Sequence, residues 1–321
     1  MKIGIVAYKN CTASMVMGVV DILSLANAQL QAGKKPWFEI EIVTGNGKSV
    51  KSFNGYSIIP AASIKSHAKY DLIYVPGFLA DPLEVISSEK NVIQWLRIQH
   101  RKGVVLAAAC NGNLLLAESG VFNGKNATTH WSLKEFFEER YPDIHLSPEK
   151  IIVDEGDVIS AAGVTAYNNL ALHFVSKFGS ADIAAYCSKV FLVDSGRKVQ
   201  TPYLIFTAPK NHGDEEIKKI QEWIEHNYEK PFTLELLLQK SSLGMRTMIR
   251  RFKSATGDTP LEYLQRIRIE KAKRFLETTS KTFSEITWDV GYNDISSFQR
   301  LFKVNTQLTP REYRNKFTLV Q

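Results

Sequence analysis

Residues 231–321 match themselves at a spacing of fifty with no gap, and no other feature of the 321-residue chain restricts its fold as much. Glu235 falls on Glu285, Arg250 on Arg300, Phe252 on Phe302, Lys253 on Lys303, Thr259 on Thr309, Pro260 on Pro310, Glu262 on Glu312 and Tyr263 on Tyr313. Thr247/Ser297, Met248/Phe298 and Leu236/Ile286 are conservative pairs in the same register. Stacked arrays need three or more units, so a period present twice describes a paired module rather than a solenoid. In the second copy Phe283, Ile286 and Val290 share a helical face, Gly291 allows a sharp turn and Asp294 offers an N-cap to a helix beginning at 295. The first copy leads from 233–244 into a helix at 245–255, where Met248 and Phe252 are expected to bury and Arg246, Arg250, Arg251 and Lys253 to project. Each copy therefore reads as a helix-turn-helix, whose second helix sits in the major groove of DNA. A helical stretch at 260–279 separates the copies rigidly. Two reading helices about 34 Å apart would enter successive major grooves on one side of a duplex.

The charge agrees with this. Residues 1–230 hold 24 Lys+Arg and 24 Asp+Glu, whereas 231–321 hold 16 and 9, which is the whole of the net +7. All seven histidines lie in the neutral part, so the basic segment points to phosphate rather than to metal chemistry. A groove about 12 Å wide admits one helix, and arginine pairs bidentately with guanine there. Double-stranded DNA is the expected partner.

The first ~190 residues are of another kind; a chain of this length is expected to hold two domains at roughly 100–200 residues each. The segments 2–7, 37–43, 71–77 and 104–110 are apolar and rich in β-branched residues, as strands buried on both faces should be. Helical patterns at about 14–31, 88–101, 111–118, 131–140 and 165–178 alternate with or follow them. Two further strands, 150–154 and 157–163, flank a hairpin-like turn at Glu155-Gly156. The expected fold class is a three-layer α/β domain with a mostly parallel sheet, followed by an all-α domain with two helix-turn-helix units. The expected division is 1–193 for the α/β domain, 194–214 for a partly packed linker and 215–321 for the DNA-binding domain. No stretch reaches the ~20 apolar residues of a membrane span and the start shows no signal-peptide pattern, so the expected location is the cytoplasm, without a membrane partner. Cys11, Cys110 and Cys187 are odd in number and far apart, which argues for reduced thiols and against a disulfide framework or zinc site; no metal and no cofactor are expected.

Residues 220–315 resemble the AraC/XylS-type DNA-binding domain. The match runs through Arg250-Arg251-Phe252-Lys253, Thr256-Gly257-Asp258-Thr259-Pro260, Tyr263-Leu264, Arg266-Ile267-Arg268, Gly291-Tyr292, Ser296 to Lys303 and Thr309 to Arg314. The resemblance implies base-facing positions at Arg246, Thr247, Ile249 and Arg250 in the first copy and at Ile295, Ser296, Gln299 and Arg300 in the second. Four departures stand out. Leu237 and Thr287 replace a small residue at the helix crossing, Ser241 replaces the glycine of the first turn, Gly244 stands at a capping position, and Gln307 replaces a glycine three before Pro310. They predict a first copy that packs differently or binds more weakly.

In the α/β half, 104–120 reads as strand, sharp turn and helix, with Cys110 at the turn of a nucleophile-elbow layout and Gly112 allowing the close approach the turn needs. From its residues alone, Cys110 is either a reactive thiol activated by the following helix N-terminus or inert packing. The surroundings resemble the PfpI-type, class I glutamine amidotransferase-like (flavodoxin-like) superfamily over about 1–190, in the form fused to an AraC-type domain. The matching pieces are Val75-Pro76-Gly77-Phe78, Ala109 to Gly112, Leu116 to Gly120, Ala127 to Trp131 and Ser160 to Val164. Hydrolytic relatives pair the cysteine with a following histidine and an acid near the first strand. Here Asn111 follows, and Tyr8 to Val20 contains no acid, so only His130 remains as a base for Cys110. Asn169 stands where the fused family has Asp.

The resulting expectation is a one-component transcription regulator that is not an enzyme. Its α/β domain would bind a small-molecule effector in a pocket lined by Gly77, Phe78, Cys110, Asn111, His130 and Trp131, with Ser14 and Met15 nearby, and would form a homodimer. RNA polymerase is a further partner that the resemblance implies. The rival readings are a cysteine-dependent hydrolase or amidase using Cys110 and His130, and redox sensing by Cys110.

Overall fold

The computed structural model describes residues 1–30 and 35–318, and it divides into two compact units, Met1–Gln200 and Thr201–Gln321. The described strands are β1 (Lys2–Val6), β2 (Glu39–Thr44), β3 (Val50–Lys51), β4 (Ser57–Ile58), β5 (Ala62–Ser63), β6 (Leu72–Val75), β7 (Val105–Ala109), β8 (Asn126–Ala127), β9 (His145–Leu146), β10 (Ile152–Asp154) and β11 (Val158–Ala161). Seven of them form one sheet in the order β10-β11-β7-β6-β1-β2-β5. Every pairing is parallel except β10 with β11, the hairpin around Glu155-Gly156, where Gly156 takes a φ of +90°. Helices α1 (Ala13–Ala28), α2 (Pro82–Ser88), α3 (Lys90–Arg101), α4 (Asn113–Glu118), α5 (Lys134–Arg140), α6 (Ala166–Phe178) and α7 (Ala181–Val190) complete this unit. α1, α6 and α7 pack together, α2 and α3 pack with α4, and β6 and β7, buried throughout except at Val105, lie inside, as a doubly covered parallel sheet requires. The helix expected at 14–31 begins at Ala13 and ends at Ala28; Gln31 lies outside the described residues.

The second unit contains α8 (Glu215–His226), α9 (Leu234–Leu238), α10 (Met245–Thr256), α11 (Pro260–Thr278), α12 (Phe283–Asp289), α13 (Ile295–Thr306) and α14 (Pro310–Phe317). The duplication is visible atom by atom. Thr259 and Thr309 both close capping boxes with the glutamate three residues on, ahead of a proline at the first helical turn. The hydroxyl of Thr256 donates to the Phe252 carbonyl at 2.8 Å, and that of Thr306 to the Phe302 carbonyl at 2.8 Å. Tyr263 donates to Glu225 at 2.5 Å and Tyr313 to Glu277 at 2.7 Å. These last partners show that the repeat reaches further back than the sequence comparison found. Ile217, Ile220 and Ile224 of α8 enter the first core as Ile269, Ala272 and Leu276 of α11 enter the second, at a spacing of 52 rather than fifty. α11 therefore closes the first helix-turn-helix with Tyr263 and Leu264 and opens the second with its remaining turns.

The segment 194–214 is divided between the units. Val199 bridges to Lys150, and the buried Gln200 donates to the Thr129 carbonyl at 2.9 Å. Leu204 accepts from Lys273 at 2.8 Å, Pro209 accepts from Gln221 at 2.9 Å, and Asp214 caps α8. The departures noted in the sequence have local consequences. Gly291 holds φ +83°, and a Cβ there would meet the Glu229 carbonyl oxygen at 2.5 Å, so only glycine fits. Ser241, its counterpart, is not left-handed; α9 is correspondingly short and the chain crosses to α10 by a wider turn. Leu237 and Thr287 are both fully buried, the hydroxyl of Thr287 donating to the Phe283 carbonyl at 2.7 Å. Gln307, exposed at the end of α13, keeps the left-handed conformation of its counterpart Gly257, with φ +58° against +79°. A side chain in that region costs about 1 kcal/mol. Gln307→Gly is therefore expected to stabilise the protein by about 1 kcal/mol, read as a raised midpoint in urea unfolding; an unchanged or lowered midpoint would contradict the strain.

Candidate functional site

The first candidate surface is formed by α10 and α13, the second helix of each helix-turn-helix. On α10, Arg246 and Arg250 are exposed and Thr247 is half-buried, while Met248 and Phe252 are fully buried. On α13, Ser296, Gln299 and Arg300 are exposed, Ile295 is half-buried, and Phe298 and Phe302 fill the core. Anchoring and presented residues thus alternate at helical spacing on both helices, and five of the eight expected base-facing residues, all polar, are exposed. Ile249 is half-buried against the first core, so it offers only part of its side chain. One expectation is corrected: Arg251 does not project. It forms a two-pronged pair with Asp214, Nε at 2.9 Å and Nη2 at 2.7 Å, and thereby fastens α10 to the start of α8. The Arg251 guanidinium holds the Asp214 carboxyl below its ordinary range. At the other reading helix, Asp294 accepts from the backbone N–H groups of Ser296 and Ser297 at 2.9 and 3.1 Å and caps α13. Gly244, at the same place before α10, gives no side-chain cap.

The α/β unit presents the elbow. Cys110 follows β7 with φ +57°, a left-handed backbone forced on a non-glycine residue. Gly112 permits it, because a Cβ there would lie 2.4 Å from the Pro76 carbonyl oxygen. Asn111 clamps the neighbouring loop from both sides, its Oδ1 accepting from the Phe78 N–H at 2.8 Å and its Nδ2 donating to the Phe78 carbonyl at 2.6 Å. Tyr8 donates to the Pro76 carbonyl at 2.5 Å, and the Thr12 N–H to that of Gly77 at 2.8 Å. Gly77 is enclosed as well. A Cβ on it would meet Asn111 Oδ1, Met15 Sδ and Cys110 Cβ at 2.9, 3.0 and 3.1 Å. Of the expected pocket, then, Gly77, Phe78, Cys110 and Asn111 do come together, with Met15 beside them, but as a packed corner in which Phe78 and Cys110 are buried. Ser14 is exposed. His130 and Trp131 are half-buried and follow Thr129, whose hydroxyl donates to the Cys110 carbonyl at 3.3 Å.

This geometry does not activate a thiol. Burial pushes the Cys110 thiol up to about 11, and no hydrogen bond joins it to His130 among the described residues. The His130 Nδ1 accepts from the Ser132 N–H at 3.3 Å and lies 2.7 Å from the Ser132 hydroxyl, and burial lowers the imidazole's pKa. Two residues missed in the sequence hold the corner together. Buried Asn113 donates to the Cys110 and Ala161 carbonyls at 2.9 and 3.0 Å, and Gln200 accepts from the Trp131 N–H at 3.2 Å. An asparagine one turn after an elbow was a readable sign; Gln200 lay in a stretch with no periodicity.

Comparison with known proteins agrees with both halves. Residues 20–177 match the DJ-1/PfpI family and residues 237–316 a helix-turn-helix domain. The chain belongs to the AraC-type helix-turn-helix regulators that carry a DJ-1/PfpI domain ahead of the DNA-binding one. Among its relatives is the HTH-type transcriptional regulator CdhR of Pseudomonas aeruginosa, 28% identical over 305 residues, covering 93% of this chain and 88% of that one. Another is the HTH-type transcriptional regulator GbdR of the same species, 23% identical over 317 residues, covering 98% and 84%. The fold of the first unit recurs in the crystal structure of an AraC family transcriptional regulator from Pseudomonas putida, with a TM-score of 0.51 at 20% identity over 59% of this chain and 98% of that one. It recurs also in Drosophila melanogaster DJ-1beta, with a TM-score of 0.51 at 21% identity over 60% and 98%. The protein is a DNA-binding transcription regulator.

A thiol at about 11 leaves roughly one molecule in ten thousand as thiolate at pH 7. Alkylation of Cys110 by iodoacetamide, followed by mass spectrometry, is expected to be negligible at pH 7 and to accelerate about tenfold per pH unit up to pH 9. A rate that levels off below pH 8 would show an activated thiolate instead.

Proposed function

We propose that the chain acts as a one-component regulator in the cytoplasm, reading promoter DNA with Arg246, Thr247, Ile249 and Arg250 of α10 and with Ile295, Ser296, Gln299 and Arg300 of α13. Its α/β unit senses a small-molecule effector, the protein works as a homodimer, and the DNA-bound form engages RNA polymerase. The observation that carries the reading is the pair of equivalent cores, each exposing the same face of its second helix, with Arg250 and Arg300 at matching positions. Lys and Arg facing phosphates supply much of the affinity, and arginine at guanine edges supplies sequence preference. An effector acts through its different affinity for two arrangements of the protein.

We infer no enzymatic role for Cys110. The high thiol pKa, the absence of a hydrogen bond to His130 and the Met15 side chain packed at the corner all favour a structural elbow over a hydrolase.

The two copies are not expected to contribute equally. α13 has a side-chain cap at its N-terminus and follows a glycine turn, whereas α10 has neither. Arg300→Ala and Arg250→Ala should each cost about 1–3 kcal/mol on a specific site, roughly 5- to 150-fold in affinity, with the larger loss at Arg300. Binding should also weaken steeply between 50 and 200 mM salt. Footprinting on the promoter with wild type and both variants measures this; equal affinity of all three would overturn the assignment.

A further inference from the structure

A cleft of about 740 Å³ opens on the flank of the α/β unit between α6, α7 and the segment 195–199, and it shares no residue with the elbow. Leu172, Ala184, Ala185 and Val199 make its walls apolar, while Lys150, Arg197 and Lys198 line it with positive charge; no Asp or Glu lines it. Arg197 is held in place, its Nη2 donating to Asn169 Oδ1 at 2.7 Å and its Nη1 to the Thr165 hydroxyl at 3.1 Å. Asn169 is itself buried and donates to the Asp194 carbonyl at 3.1 Å. This is the position where the sequence resemblance implies Asp. An amide there orients the guanidinium and brings no negative charge to it. Lys150 and Lys198 are exposed, and no ion pair engages either among the described residues. The wall 195–199 is fixed to the sheet edge through the Ile151 N–H, which donates to the Lys198 carbonyl at 2.9 Å, and it leads directly into Thr201, the first residue of the second unit.

We propose that this cleft binds an organic carboxylate with an apolar body, and that the carboxylate is the effector. The second statement rests on the sensing reading above. The carboxylate meets Arg197, Lys198 and Lys150, and the apolar body lies against Leu172 and the alanines of α7. Such a ligand ties α6 and α7 to the segment 195–199, so its binding biases the conformation of the stretch that enters the DNA-binding unit.

The test uses the full-length protein with hexanoate and its neutral isostere hexanamide, by titration calorimetry. Hexanoate is expected to bind saturably and hexanamide at least tenfold more weakly. Lys150→Glu, Lys198→Glu and Ala185→Phe, all at exposed positions, should each weaken hexanoate tenfold or more. Asn169→Asp should do the same by placing a carboxylate in the cleft beside the bound anion, and Lys198→Arg should keep the affinity within threefold. No saturable hexanoate binding, equal affinity for acid and amide, or unchanged affinity in the three exposed variants overturns the cleft, as does loss of binding only in Asn111→Ala and Trp131→Ala at the elbow. Promoter footprinting separates the two statements. A hexanoate-dependent change that persists in Lys198→Glu keeps sensing and overturns the cleft. Binding that is lost in Lys198→Glu without any footprint change in the wild type keeps the cleft and overturns its role as effector site.

Discussion

Arg268 lies in the middle of α11, and its guanidinium reaches out of both cores at once. Nε donates to the Tyr228 carbonyl at 2.7 Å and Nη2 to the Lys230 carbonyl at 3.0 Å, which holds the chain leaving α8, while its Cζ lies 5.0 Å from the centre of the Tyr292 ring of the second turn. Hydrogen bonds from a charged donor contribute roughly 1.5–3 kcal/mol each, and the ring contact adds to them where water is excluded. The glycine at 291 belongs to the same joint, since any side chain there would strike this guanidinium at 2.7 Å as well as the Glu229 carbonyl. One buried cation on α11 thus ties the chain leaving α8 to the second turn, in addition to the continuity of α11 through both cores.

The α/β unit follows another logic. Its sheet is buried on both faces, and its one left-handed cysteine is imposed by the tight passage of Gly112 beneath the Pro76 carbonyl. In a hydrolase such a strained corner exposes a nucleophile. Here the side chains gathered around it, Met15 and Asn111 above all, leave the thiol protonated and the loop at Gly77 and Phe78 clamped. The corner is accordingly tightly packed, and a cleft lined by Lys150, Arg197 and Lys198 opens elsewhere in the unit, beside α6 and α7.

Much of this was legible in the residues. Buried parallel strands announce themselves as apolar β-branched runs, and the hairpin at Glu155-Gly156, the capping residue Asp294 and the turn at Gly291 follow from local chemistry alone. What was not legible depends on partners distant in the chain. Arg251 looked like its neighbours until Asp214 was brought against it, and the shared role of α11 was hidden because the leading helices repeat at 52 residues while the rest repeats at fifty. α7 carries no strong stripe, and the cleft beside it combines residues from 150 to 199 that no linear pattern connects. The burial of Cys110 was hidden for the same reason, since Met15 comes from a different helix.

Because one continuous helix ends the first copy and begins the second, the offset between the two reading elements is a property of a rod rather than of a hinge. Each residue added to or removed from α11 would turn the second copy by about 100° and move it by about 1.5 Å. A change in the length of that rod would therefore reset the offset between α10 and α13, whereas a substitution on their exposed faces leaves it as it is.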